Sequence, residues 1–432
     1  MIKMEELKKE IPYVDYLPSH WSIVPNRYLF RYDGMKVGQN FSKYQLLSLT
    51  KEGVKEKDIN AGGGKVPDSY DNYQTVKKGQ MIFCLFDLDC SAVFSGLSSY
   101  DGMITSAYDV FTPTDLIDGR YADYWFKYVF TNRYYMLFSK NIRYTVSSEI
   151  FNSLKTPVPP KEEQQRIADF LDKKCSQIDK LIKLQENEIE KLKEYKQSII
   201  SETIAKDFDS ADLIETGMGW IDKIPSHWSI VPIKTLFTFG KGLPITKENL
   251  TESGVNVISY GQVHSKTNAC VRVDDSLYRF VSEDYLNSNP ECLVKKGDFI
   301  FADTSEDVAG TGDFVHIDNN VTTFAGYHSI ILRNKNKNNS KYLAYQFMTD
   351  NWRHQIRSKV SGVKLFSLTK KILGQAMVII PSKEEQDAVV NKLESKCDKI
   401  DKLIEIKKDK IEKLADYKKS LIYECVTGKK EI

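Results

Sequence analysis

Ser19-His20-Trp21-Ser22-Ile23-Val24-Pro25 returns, letter for letter, as Ser226-His227-Trp228-Ser229-Ile230-Val231-Pro232. Other blocks return with it. Lys161-Glu162-Glu163-Gln164 reappears as Lys383-Glu384-Glu385-Gln386, and Ile189-Glu190-Lys191-Leu192 as Ile411-Glu412-Lys413-Leu414. The offset is 207 residues at the first block (19 to 226) and 222 at the later ones (161 to 383), so the second copy gained residues between these anchors. A weaker echo fills that interval: Lys77-Lys78-Gly79-Gln80-Met81-Ile82-Phe83 against Lys295-Lys296-Gly297-Asp298-Phe299-Ile300-Phe301. Two copies at so long a period are not a solenoid, which stacks three or more short units. They are two homologous halves, and each splits into a mixed region followed by a long helix.

The helices are read from their starts and their seams. Pro157-Val158-Pro159-Pro160 and Ile380-Pro381 each precede a Lys-Glu-Glu-Gln block, and acids in a first turn favour a helix N-terminus. No proline follows inside 161–206 or 383–430. Leu171, Cys175, Ile178, Ile182, Gln185, Ile189, Leu192, Lys196 and Ile199 alternate spacings of four and three, the repeat of a coiled coil. Leu393, Cys397, Ile400, Ile404, Lys407, Ile411, Leu414, Lys418 and Leu421 keep the same register, with Leu181, Leu403 and Ile422 as flanking apolar positions. Cys175 and Cys397 count as small apolar residues there. A helix of about 45 residues is about 65 Å long and cannot bury such a stripe alone. The chain supplies a partner of equal length and register. An antiparallel pair is favoured, because each mixed region then enters and leaves near its own helix end.

The expected architecture is therefore α+β: two similar mixed globular domains joined by two long helices that form an intramolecular antiparallel coiled coil. The boundaries read as 1–10, an N-terminal leader; 11–160, the first globular domain; 161–206, the central helix; 207–382, the second globular domain; and 383–432, the C-terminal helix. Strand-like runs such as Gln80–Phe86 and Asp298–Phe301, with turns at Gly62-Gly63-Gly64 and Gly310-Thr311-Gly312, mark short strands in the globular parts.

Composition sets the outer limits. A chain of 432 residues has room for about two to three domains. With 41% hydrophobic and 12% aromatic residues it has material for real cores, which excludes wholesale disorder. No apolar run approaches the roughly 18 residues of a membrane span, and Met1–Glu10 lacks the apolar stretch of a signal peptide. The seven cysteines show no C-x-x-C pair, which argues for a reducing, cytoplasmic setting and against a disulfide frame or a metal site.

The 61 basic and 59 acidic residues nearly cancel, so placement matters more than net charge. Between Asn351 and Lys383 seven basic residues meet no acid; between Tyr124 and Lys161 six meet only Glu149. Both copies thus gather positive charge at the end of the globular part, interleaved with aromatic and hydroxyl residues. That mixture suits contact with nucleic-acid phosphates. The candidate DNA contacts are Lys43, Lys65, Arg133, Lys140, Arg143, Tyr144 and Thr145 in the first copy, and Lys241, Lys266, Arg353, Arg357, Lys359, Ser361 and Lys364 in the second.

Motifs of chemistry are missing. There is no Walker A loop, no strand–Gly-x-Gly–helix cofactor loop, and no Asp/Asn-Pro-Pro-Tyr/Phe tetrapeptide of an amino-methyltransferase. Pro67-Asp68 is the only Pro-Asp, and the Glu-x-Lys matches at Glu194 and Glu405 fall on the long helices. His20 and His227 are expected to pack beside Trp21 and Trp228. The chain reads as a two-headed binder.

Two variable globular domains, each opened by Pro-Ser-His-Trp and closed by Pro-(Ser)-Lys-Glu-Glu-Gln leading into a coiled-coil helix, resemble the specificity (S) subunit of type I restriction-modification systems. The resemblance covers nearly the whole chain. Lys78-Gly79 and Lys296-Gly297-Asp298-Phe299-Ile300-Phe301 are similar to that family's strand-plus-loop motif in its target recognition domains. The resemblance implies a non-catalytic DNA-recognition subunit. Each target recognition domain would read one half of a bipartite double-stranded DNA target, and the paired helices would set the spacer. Two modification (methyltransferase) subunits would bring S-adenosylmethionine for adenine N6 methylation. Restriction (motor-nuclease) subunits would bring ATP and Mg. Gly79-Gln80 departs from the family's Gly-Asp, so the two domains differ in subtype and the target is expected to be asymmetric. The competing readings are a fragment of a self-contained restriction or modification enzyme, and a coiled-coil scaffold that binds no DNA.

Replacing Lys359 and Lys364 together by Ala should flatten the plot of log affinity for duplex DNA against log salt by about 0.9 for each phosphate that is no longer neutralised. An unchanged slope in a salt titration removes both residues from the interface.

Overall fold

A computed structural model describes residues 4–58, 69–88, 93–139, 144–206, 212–335, 338–362 and 364–432. The chain divides into two compact units, Met1–Glu186 with Lys407–Ile432, and Asn187–Ile406. Each unit holds one globular body and a segment of both long helices, Lys161–Lys206 and Lys383–Val426.

In the first unit a four-stranded antiparallel sheet runs in the order Phe30–Tyr32, Asp109–Pro113, Met81–Phe83, Ser95–Leu97. In the second the order is Phe237–Lys241, Ser329–Asn334, Phe299–Ala302, Phe314–His316, again antiparallel throughout. These are the same four strands of the repeat. Ser22–Pro25 pairs with Lys155–Val158, and its copy Ser229–Pro232 pairs with Met377–Ile380 in the matching register. The second unit carries a further four-stranded sheet in which Val255–Ile258 runs parallel to Thr323–Ala325. In the first unit that parallel contact shrinks to the bridge Leu46–Met103.

Aromatic packing fills the space between sheet and helix in both copies. Phe83 meets Phe126 edge-on at 4.8 Å, and the repeat pair Phe301 and Phe347 meets at 5.6 Å. Such pairs contribute about 0.5–1.5 kcal/mol each beyond the area they bury. The turn ahead of the central strand keeps its shape in both copies. Gly79 and Gly297 both adopt left-handed φ, +88° and +92°, a conformation that costs a residue with a Cβ. Gln80 and Asp298 then do one job with different chemistry. Gln80 Oε1 accepts from the Lys77 N–H at 2.7 Å while its amide donates to Asp33; Asp298 accepts from the Lys295 N–H at 2.9 Å and pairs with Arg333. The departure at Gln80 is thus compensated by reversing the charge of its second partner.

The seam residues lie at helix–helix contacts within each unit. In the first, Ile167, Leu171, Cys175 and Ile178 share one cluster with Leu421, Ile422, Cys425 and Val426, while Ile182 and Leu414 pack at its margin. As one helix advances the other recedes, so the packing is antiparallel. Asp179 accepts from Lys418 Nζ at 2.7 Å, and Gln185 from Lys407 Nζ at 3.4 Å. Gln185 and Lys407 are the same position of the two copies, meeting each other. In the second unit Ile199, Leu393, Cys397, Ile400 and Ile404 are buried and Lys196 Nζ donates to Asp401 at 2.7 Å, the repeat counterpart of the Lys418–Asp179 pair. Ile189 is buried, and Leu192 and Ile411 are half-buried. Leu181 and Leu403, by contrast, are exposed.

Three boundaries differ from the sequence reading. The second long helix ends at Val426 rather than running to 432, because Gly428 turns the chain at φ +68° and lies so close to Pro18 that a Cβ would meet its Cγ at 2.4 Å. The segment read as a leader contains the helix Met4–Glu10, and Leu7 is buried in the first unit's core. The strand read at Gln80–Phe86 spans only Met81–Phe83, since Leu85 leaves the sheet to accept from the Val146 N–H. The Gly62-Gly63-Gly64 turn lies outside the described residues.

The heads of the long helices are where the two most distant sequence motifs meet. Trp21 Nε1 donates to Glu163 at 3.1 Å and His20 Nε2 to its other oxygen at 2.9 Å; Trp228 and His227 donate to Glu385 at 3.2 and 2.9 Å, here both to the same oxygen, Oε1. The histidines are therefore exposed donors rather than packed rings. Gln164 and Gln386 are buried behind them. Each accepts from the first amide of its body's helix cap, Asp118 N or Asn339 N, and donates back to Pro159 O or Pro381 O. At the second helix Ser382 and Glu385 also close a capping box.

Burial raises the Glu385 pKa, but the bonds from His227, Ser382 and Trp228 outweigh it and hold the carboxyl at about 2. A depressed carboxyl stabilises the fold above its ordinary value of 4.5, and that contribution is lost as pH falls toward 2. Glu385→Ala strips the acceptor from the buried Trp228 indole and should cost about 1–3 kcal/mol in urea unfolding of the full chain at neutral pH, with the penalty shrinking below pH 4.5. A penalty that stays constant down to acid pH would remove the carboxylate from this role.

Candidate nucleic-acid interface

In both copies the central strand leads into a loop, and that loop is held against the segment preceding the last short helix. The holding bond is Val146 N–H to Leu85 O in the first unit and Leu368 N–H to Asp303 O in the second, both 2.8 Å and equivalent by repeat. In the second unit the contact extends into a two-residue ribbon, Thr304–Ser305 against Phe366–Ser367. In the second unit this segment, with Lys359 and Lys364 ahead of Leu368, is part of the acid-free basic stretch read from sequence.

The second unit shows how its loop is fixed. His264 Nδ1 faces Asp313 at 3.0 Å and Nε2 faces the Thr304 carbonyl at 2.9 Å. Both partners can accept, an arrangement that favours the doubly protonated ring, and the bond to Asp313 raises its pKa against the pull of burial. Burial raises Asp313, but His264 and Arg353 together hold its carboxyl below the ordinary range. Arg353 completes the set, donating to Asp313 at 2.6 Å and to Phe347 O at 3.1 Å, with only 12% of its side chain exposed. Arg357 donates to Asp350 and to the Ala309 carbonyl. Arg353 and Arg357, read from sequence as DNA contacts, are thus spent on bracing the 303–313 loop.

The other candidates fall into three groups. Lys65, Lys140 and Arg143 lie outside the described residues. Tyr144, at φ +47°, is half-buried against Tyr135 and the first unit's core, and Thr145 beside it is half-buried too. Lys43, Arg133, Lys241, Lys266, Lys359, Ser361 and Lys364 are exposed, Arg133 on a left-handed residue at φ +56°.

Two recesses flank the braced loop. One, of about 700 Å³, is lined by Tyr260, His264, Asp307, Gly310, His328 and Leu365 among others. The other, of about 490 Å³, lies among Lys241, Gly242, His328, Ser367, Thr369 and Lys370. His328 borders both. It sits at φ +52°, with Nδ1 3.3 Å from Asp303 and the ring 5.4 Å from that of Tyr260. Its turn is tightly seated: a Cβ on Gly326 would lie 2.0 Å from Ser259 Oγ. Strain of this kind persists where the surroundings impose it. Sequence reading missed His328 and Lys370. Lys370 belonged to the acid-free basic run, but nothing in one dimension places it opposite Lys241.

A larger groove of about 1030 Å³ in the first unit runs along the long-helix segments, and lysines such as Lys127, Lys183 and Lys418 are interspersed there with Asp172, Asp179 and Glu186. Among the described residues no cluster of three or more His, Cys, Asp or Glu could hold a metal ion, and no helix is long and apolar enough to cross a membrane.

Comparison with known proteins bears on the whole arrangement. A specificity subunit of the type I restriction enzyme MjaVIII, from Methanocaldococcus jannaschii, is 26% identical over 259 residues, which cover 58% of this chain and 57% of that protein. The match thus spans little more than half the length of that relative. A solved structure described as giving the structural basis of complex assembly and conformational transition of the type I R-M system superposes with a TM-score of 0.67 over 95% of this chain and 99% of that one, at 14% identity, which speaks for the fold. The family model for the type I restriction modification DNA specificity domain matches residues 108–194 and 225–415, parts of both copies and more than half of the chain. The chain belongs to the type I restriction-modification DNA specificity family.

Proposed function

We propose that this chain is the DNA-reading subunit of a type I restriction-modification complex and performs no group transfer itself. Each globular body reads one half of a bipartite duplex target. The paired long helices set the gap between the halves, and modification and restriction subunits supply S-adenosylmethionine chemistry and ATP-driven chemistry. The observation that carries this reading is the duplication of body and helix together: one sheet order and one helix-head lock occur twice, while the loops beside them differ. Two like scaffolds with unlike loops suit two different half-sites, hence an asymmetric target. The loop differences include the residue types best fitted to DNA, since the second copy offers exposed Lys359, Ser361 and Lys364.

Recruitment of two identical partners is supported by the outer faces of the helices. Leu181, Leu184 and Tyr195 remain 44%, 50% and 59% exposed, and their repeat counterparts Leu403, Ile406 and Tyr417 remain 47%, 62% and 54% exposed. Single exposed apolar residues are ordinary. The same three positions left open in both copies are what two copies of one partner would require.

Removing one heptad from each long helix, register kept, shortens each by about 10 Å, equivalent to about three base pairs of duplex. Selection of bound sites from a random library by the assembled complex should then return the same half-sites with a changed gap. A changed half-site sequence with the gap intact would contradict the spacer role.

Leu184→Glu and Ile406→Glu place a charge on exposed positions and should leave the chain's own melting temperature within a few degrees. Each alone should lower the number of modification subunits bound, measured by sedimentation velocity, from two to one, and both together to none. Two subunits retained by the double variant would move the docking surface elsewhere.

A further inference from the structure

The 490 Å³ recess of the second unit has a composition that the bracing of the fold does not use. Lys241 closes one side of it at the end of the strand Phe237–Lys241, and Lys370 closes another. Burial, and behind it the charge of Lys241, push the Lys370 pKa down, so the two ammonium groups lie within electrostatic reach of each other. Neither forms an ion pair with a carboxylate among the described residues. Asp303 also lines the recess, but its Oδ1 is engaged, accepting from Thr304 Oγ1 at 2.8 Å and facing His328 Nδ1 at 3.3 Å. Two hydroxyl residues, Ser367 and Thr369, line the recess with the lysines. Thr369 Oγ1 accepts from the Ile372 N–H at 3.2 Å, which leaves its own proton free to donate outward, and Ser367 is exposed.

Lys241 and Lys370 repel each other in the free protein, since the carboxylate beside them, Asp303, is engaged by Thr304 and His328, and an anion between the lysines removes that repulsion. Lys offers only donors, and so do the free protons of the two hydroxyls. A base edge, which mixes donors and acceptors, is a poor match to such a set; a phosphate oxygen pair matches it fully. We propose that this recess seats a single phosphodiester of a bound duplex, gripped by Lys241 and Lys370 together, with Thr369 and Ser367 as neutral donors. The proposal rests on the reading of the second unit as a DNA-binding body. It fixes the backbone of one strand directly beside His328, the residue that separates this recess from the larger one, and so sets which base step faces that side chain.

The test is the salt dependence of duplex affinity for the full chain, carrying Lys241→Ala, Lys370→Ala, or both, with Lys241→Arg/Lys370→Arg as the charge-preserving control and thermal melting as the check on folding. One phosphate held by two lysines predicts that the slope of log affinity against log salt falls by about 0.9 in the double alanine variant, and that the arginine control keeps the wild-type slope. A fall of about 1.8 would mean two separate phosphates, and an unchanged slope would mean none; either overturns the shared seat while leaving DNA binding by the chain intact. Wild-type chain that binds no duplex even at low salt would overturn the DNA reading itself and the seat with it. A second arm replaces chloride with inorganic phosphate at constant ionic strength. The seat predicts equal effects on wild type and double variant; selective weakening of the wild type would reassign the recess to free phosphate.

Discussion

A glutamate at the head of each long helix accepts a hydrogen bond from a buried tryptophan more than a hundred residues away, and the rest of each unit is arranged around that contact. Glu163 takes Trp21, and Glu385 takes Trp228. The adjacent Gln164 and Gln386 thread the same helix turn to the cap of a helix in the globular body. A helix of 46 or 44 residues cannot choose its own direction of departure. Beyond the head, the body grips the following turns as well: Arg120 donates to Asp169 and Asp172 on the first helix, and Arg272 and Lys341 donate to Glu394 on the second. The angle of each helix is therefore set over its first turns, beginning with bonds whose removal would leave buried donors unmatched at about 1–3 kcal/mol each. These bonds give each long helix a fixed root, as the proposed spacer role requires.

The seam follows a second constraint. In an antiparallel pair built from two copies of one helix, equivalent positions meet only at one level. At that level stand Gln185 and Lys407, which hydrogen-bond to each other. Away from it, a residue of one copy meets a different residue of the other, and the exchange is reciprocal: Asp179 with Lys418, Lys196 with Asp401. Two polar seam positions that would be a liability alone become a matched pair. Exposed ion pairs of this sort add little stability, but they penalise other registers.

Much of this was legible in one dimension because it is periodic or repeated. The heptad spacing, the proline boundaries and the doubled Ser-His-Trp and Lys-Glu-Glu-Gln blocks are local signals, and the structure places helices and locks on them. What was not legible depends on partners distant in sequence. Arg353 sits in a run without acids, which suggested a free cation, yet Asp313, 40 residues earlier, neutralises it. Arg357 pairs with Asp350, one residue before that run, and also donates to the Ala309 carbonyl. Lys370 lies in the same run and has no such partner among the described residues. Counting charges along a chain cannot separate these cases; only the fold of the 303–313 loop does. The swap of Gln80–Asp33 for Asp298–Arg333 is similar, since a departure at one motif position is intelligible only once its second partner is known.

The scaffold is held constant between the copies while the sequences beside the central strand differ, and under the proposed function that contrast lets one chain carry two unlike readers. The most direct test is methylation-site sequencing of the genome of a host that expresses this chain with its modification subunit. The account predicts a single modified motif made of two different short half-sites separated by a fixed number of unspecified base pairs. A contiguous motif, or two half-sites that are inverted copies of each other, would contradict it.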